Sequence, residues 1–133
     1  MTTESRHISA WVGQPADKVY AFVSDPANLP KWASKLTSTV EREGDRWYTE
    51  TADGRAGYAF TAPNGLGVLD HTIETPSGEI VYRPTRVIEA PEGSEVVVTL
   101  RRRPGISDAE YERDTEVVAA GLTRLKVILE DMP

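Results

Sequence analysis

The stretch Ser107-Asp108-Ala109-Glu110-Tyr111, continuing to Met132, decides how the rest of the chain must fold. Ser107 with Glu110 three residues later is the S-x-x-E signature of a capped helix start. Apolar or small residues then recur at Tyr111, Thr115, Val118, Leu122, Leu125 and Leu129. Their spacing alternates four and three, which is one stripe of an α-helix. Glu112, Arg113, Glu116, Arg124 and Glu130 fall mostly on the other side. About 25 residues at ~1.5 Å each give a rod of roughly 37 Å. A stripe of that length needs a covering layer.

Upstream of the rod, turn clusters recur at even intervals: Gly44-Asp45, Asp53-Gly54, Pro63-Asn64-Gly65, Pro76-Ser77-Gly78 and Pro91-Glu92-Gly93. The intervals between them are rich in Thr, Val, Tyr, Trp and Ile, which suit a pleated surface. They read as strands near 37–43, 46–52, 55–62, 66–75, 79–90 and 94–103. Tight turns between consecutive strands imply antiparallel pairing, and Asp53-Gly54 is the best hairpin signal, as a type I′ turn. Further upstream, Ile8, Ala10 and Val12 alternate with His7, Ser9 and Trp11 as a first strand. Pro15 and Asp17 open a short helix carrying Val19, Phe22 and Val23, which Asp25-Pro26 stops. A second short helix runs from about Leu29 to Leu36, with Trp32 and Leu36 on one face. The expected class is α+β: a curved antiparallel sheet of about seven strands wrapped round the last helix.

The 133 residues are expected to form a single domain, 1–133, of ordinary composition. The formal net charge of −6 argues against a nucleic-acid partner and against anionic membrane surfaces. With no cysteine and only His7 and His71, a dedicated zinc site is not expected. No cofactor motif is present. Gly65-Leu66-Gly67 lacks the third glycine of a dinucleotide fingerprint and leads into a strand. No apolar run approaches ~20 residues, so no membrane insertion is expected. The first residues lack the apolar core of a signal peptide, and the expected location is the cytoplasm.

The order of elements resembles the helix-grip fold of the START-like (SRPBCC) superfamily, which includes polyketide cyclase/dehydrase-like and lipid-transfer proteins. The most specific stretch runs from Pro15 through Val19, Phe22 and Asp25-Pro26 to Asn28-Leu29-Pro30-Lys31-Trp32. The element order spans essentially the whole chain, the local motif only a small part. The resemblance implies a cavity between sheet and last helix that holds a small hydrophobic or aromatic molecule. Fold analogy does not choose among the carriers, cyclases and partner-binding modules of that superfamily.

Alternation selects the candidate lining. Leu69, His71 and Ile73 share one face of their strand, and His71 is expected to point inward. There it could serve as an acid/base, although a core histidine bonded to a neighbour is the simpler reading. Tyr58 and Phe60 share a face with Ala56, and Tyr48 forms a rival aromatic set with its face opposite Trp47. Arg83, if inward with Val81 and Val87, would anchor a ligand carboxylate; the simpler reading is a snorkelling surface arginine. The expected ligand-binding residues are Trp32, Tyr58, Phe60, His71, Arg83 and Leu122. Arg101-Arg102-Arg103 is more simply paired with nearby acids than an anion site. Two other functions compete with small-molecule binding. One is a cyclase or dehydratase using His71, with Tyr58 or Arg83 polarising an oxygen. The other is a partner-binding module or homodimer using Trp11 and Trp47, taken as lying on the outer sheet face.

Overall fold

The computed structural model describes residues 4–33 and 40–133. The proposed partner of Trp32 on the second helix, Leu36, and the first residues of the strand expected near 37–43 lie outside that set. In chain order the elements are β1 (Ser5–Val12), α1 (Ala16–Val23), a 3₁₀ turn (Pro26–Asn28), α2 (Leu29–Trp32), β2 (Glu41–Glu43) and β3 (Arg46–Thr51). They continue with β4 (Gly54–Phe60), β5 (His71–Glu74), β6 (Ile80–Arg83), β7 (Thr85–Ala90), β8 (Gly93–Arg101) and α3 (Asp108–Glu130).

All strand pairs are antiparallel, in two sheets ordered β1-β8-β7 and β2-β3-β4-β5-β6. The expected strand 79–90 is therefore two strands in different sheets, parted at Pro84. A proline has no N–H to give to a ladder, so the pairing changes partner there. This makes eight strands among the described residues where about seven were expected. The sheets still abut: Thr99 N donates to the Pro84 carbonyl at 2.9 Å, and Leu69 N to the Thr85 carbonyl at 2.8 Å.

The expected strand 66–75 pairs continuously only from His71. Its first half is a docked loop organised by Asn64. The Asn64 Oδ1 accepts from Leu66 N and Val68 N, and its Nδ2 donates to the Val68 carbonyl. Gly67 lets this loop lie on β7: its φ is +73°, and a Cβ there would stand 2.2 Å from the Val87 carbonyl oxygen. The β3–β4 hairpin forms one residue earlier than expected. Ala52 and Asp53 make the turn and Gly54 pairs with Thr51. Among the described residues Glu92 is the one non-glycine with positive φ, so this turn is not type I′.

The rod forms as its signature predicts. Ser107 Oγ accepts from Glu110 N at 3.1 Å, capping α3. Tyr111 is fully buried, donates its hydroxyl to the Leu100 carbonyl at 2.9 Å, and lies under the Arg6 guanidinium at 4.4 Å. At the far end Gln14 Nε2 donates to the Leu129 carbonyl at 2.7 Å, satisfying a C-terminal orphan acceptor. The core fills the space between α1, the three-stranded sheet and the later turns of α3. Val12, Val19, Val96, Leu125 and Leu129 are almost wholly excluded from solvent there. No described helix is long and apolar enough to cross a membrane.

Candidate functional site

The later turns of α3 close tightly on the three-stranded sheet, whereas its middle turns stand off from the five-stranded one. Cross-strand register fixes what faces that gap. Tyr58 pairs with Ile73, which pairs with Val81; Phe60 pairs with His71, which pairs with Arg83. Directly opposed residues project from the same side of a sheet. That side faces α3, because Tyr58 and Ile73 meet Val117 and Val118 across the gap.

The gap has two connected parts. An inner chamber of about 70 Å³ is lined by Trp32, Tyr58, His71, Arg83, Val118, Gly121 and Leu122, among others. A groove of about 200 Å³ adjoins it, sharing Tyr58, Ile73, Arg83, Val117 and Val118. Arg103 and Asp114 stand in the groove wall, where Arg103 pairs with Glu79 at 2.6 Å and with Asp114 at 3.6 Å. A larger concavity of about 690 Å³ lies elsewhere, between α1, the 64–67 loop and the β7–β8 turn. It shares no residue with the gap, and Asp17, Glu89 and Glu92 stand in its walls.

Five of the six expected ligand-binding residues, Trp32, Tyr58, His71, Arg83 and Leu122, line the chamber. The sixth, Phe60, stands behind it. Its ring stacks on Tyr58 with centroids 6.2 Å apart and lies 5.1 Å from the His71 ring. The rival aromatic Tyr48 is on the other face, under the Arg55 guanidinium at 3.8 Å and against Gly57. Trp47, expected outside, is corrected: it pairs with Tyr58 and so shares the face toward α3. Trp11 is outside and 45% exposed. From α3, the lining residues not anticipated are Val117, Ala120, Gly121 and Arg124, the last expected on the helix's other side. Gly121 carries a readable signal, since a glycine in mid-helix costs about 1 kcal/mol against alanine and calls for a reason outside helix stability.

The polar groups of the gap are unusual. His71 Nδ1 lies 3.0 Å from the Leu69 carbonyl. A carbonyl only accepts, so Nδ1 carries the hydrogen and Nε2 keeps its lone pair. Burial pushes the ring's pKa down from 6.5 to about 4; Arg83 adds to this, and the Leu69 bond opposes it. The ring is therefore neutral at pH 7. Burial raises the pKa of the Tyr58 phenol and lowers that of the Arg83 guanidinium. Arg83 makes no ion pair among the described residues, and its Nε is buried without an acceptor. The Trp32 Nε1 is likewise buried and unpartnered. Buried donors of this kind normally have partners. Among the described residues no group of three or more His, Cys, Asp or Glu is placed to hold a metal ion.

Of the basic run, Arg102 pairs with Asp108 at 2.6 Å and Glu4 at 3.3 Å, so two of the three arginines are held by local acids.

The sequence profile of the family described as polyketide cyclase / dehydrase and lipid transport matches residues 12–105. Among solved structures, the fold is similar to an uncharacterised protein from Bacillus thuringiensis, with a TM-score of 0.76 at 16% identity, covering 96% of this chain and 100% of that one. It is similar to a START superfamily protein from Mycobacterium smegmatis, with a TM-score of 0.73 at 12% identity and coverage of 99% and 100%. It is also similar to truncated norcoclaurine synthase from Thalictrum flavum, with a TM-score of 0.67 at 14% identity and coverage of 99% and 96%. At these identities the likeness is one of fold. No match was found among curated protein sequences.

Proposed function

Because the chain belongs to the polyketide cyclase / dehydrase and lipid transport family, we propose that it binds a small hydrophobic or aromatic molecule in the gap between the five-stranded sheet and α3. One observation carries this reading. The sheet's aromatic face and the middle of α3 stand apart, and Trp32, Tyr58, Ile73, Val118 and Leu122 wall the space between them. Mostly apolar concave sites with a few polar groups are where small molecules bind. The size is restrictive: an apolar cavity of about 150 Å³ holds benzene, and the groove offers about 200 Å³. A molecule of about one ring is the occupant that this volume matches best.

A catalytic role with His71 as proton donor is the weaker reading. With its pKa near 4, only about one ring in a thousand is charged at pH 7. Its Nε2 can accept a hydrogen bond, but as a base it is weak.

The test is thermal unfolding with a panel of one-ring and two-ring aromatic compounds. Binding to the folded state alone raises the melting temperature with ligand concentration. One-ring compounds are expected to do so, and the Val118→Trp variant, which fills the groove, is expected to lose the response. A panel that leaves the melting temperature unchanged rejects the proposal.

A further inference from the structure

We infer that the occupant is an anion: a single-ring aromatic acid whose carboxylate is held by Arg83 and whose ring lies in the groove against Tyr58, Ile73, Val117 and Val118. This rests on the cavity reading above and specifies its ligand.

Arg83 carries the argument. Its side chain lies on the inward face of β6, opposite His71, and lines both the chamber and the groove. A guanidinium stays charged in any protein environment and has no acceptor function. Taking it out of water is costly unless an anion and hydrogen-bond acceptors replace the solvent. Here they do not come from the described residues: Arg83 has no ion pair, and its Nε has no acceptor. Asp114 is the carboxylate whose field it feels, but that carboxylate lies 3.6 Å from Arg103 and makes no ion pair with Arg83. His71, directly across the ladder, offers an Nε2 lone pair only and no negative charge.

The dimensions agree. The chamber's 70 Å³ is the room of about two water molecules, suited to a carboxylate and too small for a ring. The groove takes the ring. Water in the chamber could satisfy individual N–H groups, but it would leave the charge unbalanced. A carboxylate does both, through the two parallel bonds that the guanidinium fork favours. The Trp32 indole N–H, without a partner among the described residues and on the same chamber, offers a further donor.

The experiment compares benzoate, its neutral near-isostere benzamide, and toluene, by calorimetric titration at pH 7.5. Wild type is expected to bind benzoate about tenfold or more tighter than benzamide, as a charge-assisted pair requires. In Arg83→Met, and in Arg83→Gln as a second variant, that preference disappears while toluene still binds. In wild type, NMR should show the Arg83 Nε–H resonance moving with benzoate and much less with benzamide. If benzamide or toluene binds wild type as tightly as benzoate, or Arg83→Met keeps the preference, the anion assignment is wrong and the cavity reading stands. If none of the three binds, the cavity reading itself fails and this inference with it.

Discussion

Arg86 grips Asp70 with both prongs of its guanidinium, Nε to Oδ1 at 2.9 Å and Nη2 to Oδ2 at 2.7 Å. Thr85 N donates to the same carboxylate at 2.9 Å and the Tyr82 hydroxyl at 3.0 Å. Asp70 is 7% exposed but the Arg86 side chain is 51% exposed, so water screens these bonds from the arginine side. They join the docked loop and β5 to the start of β7, where the two sheets part at Pro84.

That arrangement makes acid sensitivity predictable. The Arg86 bonds, then the Thr85 and Tyr82 bonds, pull the Asp70 pKa from 3.8 down to about 2 against the opposing effect of burial. A carboxylate depressed in the folded state contributes stability that is complete above its unfolded value and lost as pH falls through the folded one. Discounted for the exposure of Arg86, the contribution is about 1 kcal/mol. Urea unfolding from pH 6 to pH 2 should show Asp70→Asn less stable than wild type at the upper end, with the curves converging toward pH 2. A constant offset across the range would show that the loss comes from packing and not from the charge.

This network also marks where the sequence stops being readable. The rod, the turn clusters and the inward faces of β4 and β5 follow from local period and turn chemistry. Alternation pairs Tyr58 with Phe60 and turns His71 inward, but it leaves Tyr48 as a rival and Arg83 between surface and interior. The break at Pro84 is masked in the sequence because Val81, Tyr82, Thr85, Val87 and Ile88 continue strand-like composition across it. A proline in such a run should itself have demoted the strand. The loop ahead of β5 reads as strand because its reason to bend, Gly67 against the Val87 carbonyl, is a contact made only in three dimensions. Trp47 reads as outward-facing because both faces of β3 carry an aromatic residue, and only its register with Tyr58 decides.

His71 predicts a second pH effect in a different window. Its folded pKa of about 4 lies below its ordinary 6.5, so between those values the unfolded chain takes up a proton that the folded one refuses. Stability therefore falls as pH drops from 6.5 to 4, by on the order of 3 kcal/mol. A neutral replacement such as His71→Gln should flatten this part of the profile, whatever it does at pH 7. In wild type, the His71 ring resonances should titrate with a midpoint below pH 5. A midpoint near 6.5 would mean the ring is open to water, and the chamber with it.

Arg83→Met should raise stability in the absence of ligand. The substitution keeps an unbranched side chain and removes a charge that no described residue balances. Replacing buried ionic groups by apolar ones of similar volume is often stabilising, here by about 1–3 kcal/mol. The check is the guanidinium midpoint of unfolding at pH 7. A lower midpoint would show that Arg83 is part of the fold's own support and not a group kept in reserve.

Gly121 gives the sharpest separation of stability from use. It sits in mid-helix on α3, where glycine costs about 1 kcal/mol relative to alanine. Space does not demand it: a Cβ there would meet the Trp32 carbonyl oxygen at 3.5 Å and its ring at 3.7–3.8 Å, which is ordinary contact. Gly121→Ala should therefore raise the melting temperature by a few degrees, consistent with a gain approaching 1 kcal/mol in a domain of this size. Gly121 also lines the chamber, beside Leu122 and Trp32. A larger replacement, Gly121→Leu, should occupy that chamber and remove the preference for benzoate over benzamide, while toluene still binds in the groove. If Gly121→Leu keeps the benzoate preference of wild type, the chamber is not where the carboxylate sits, and the glycine needs another explanation.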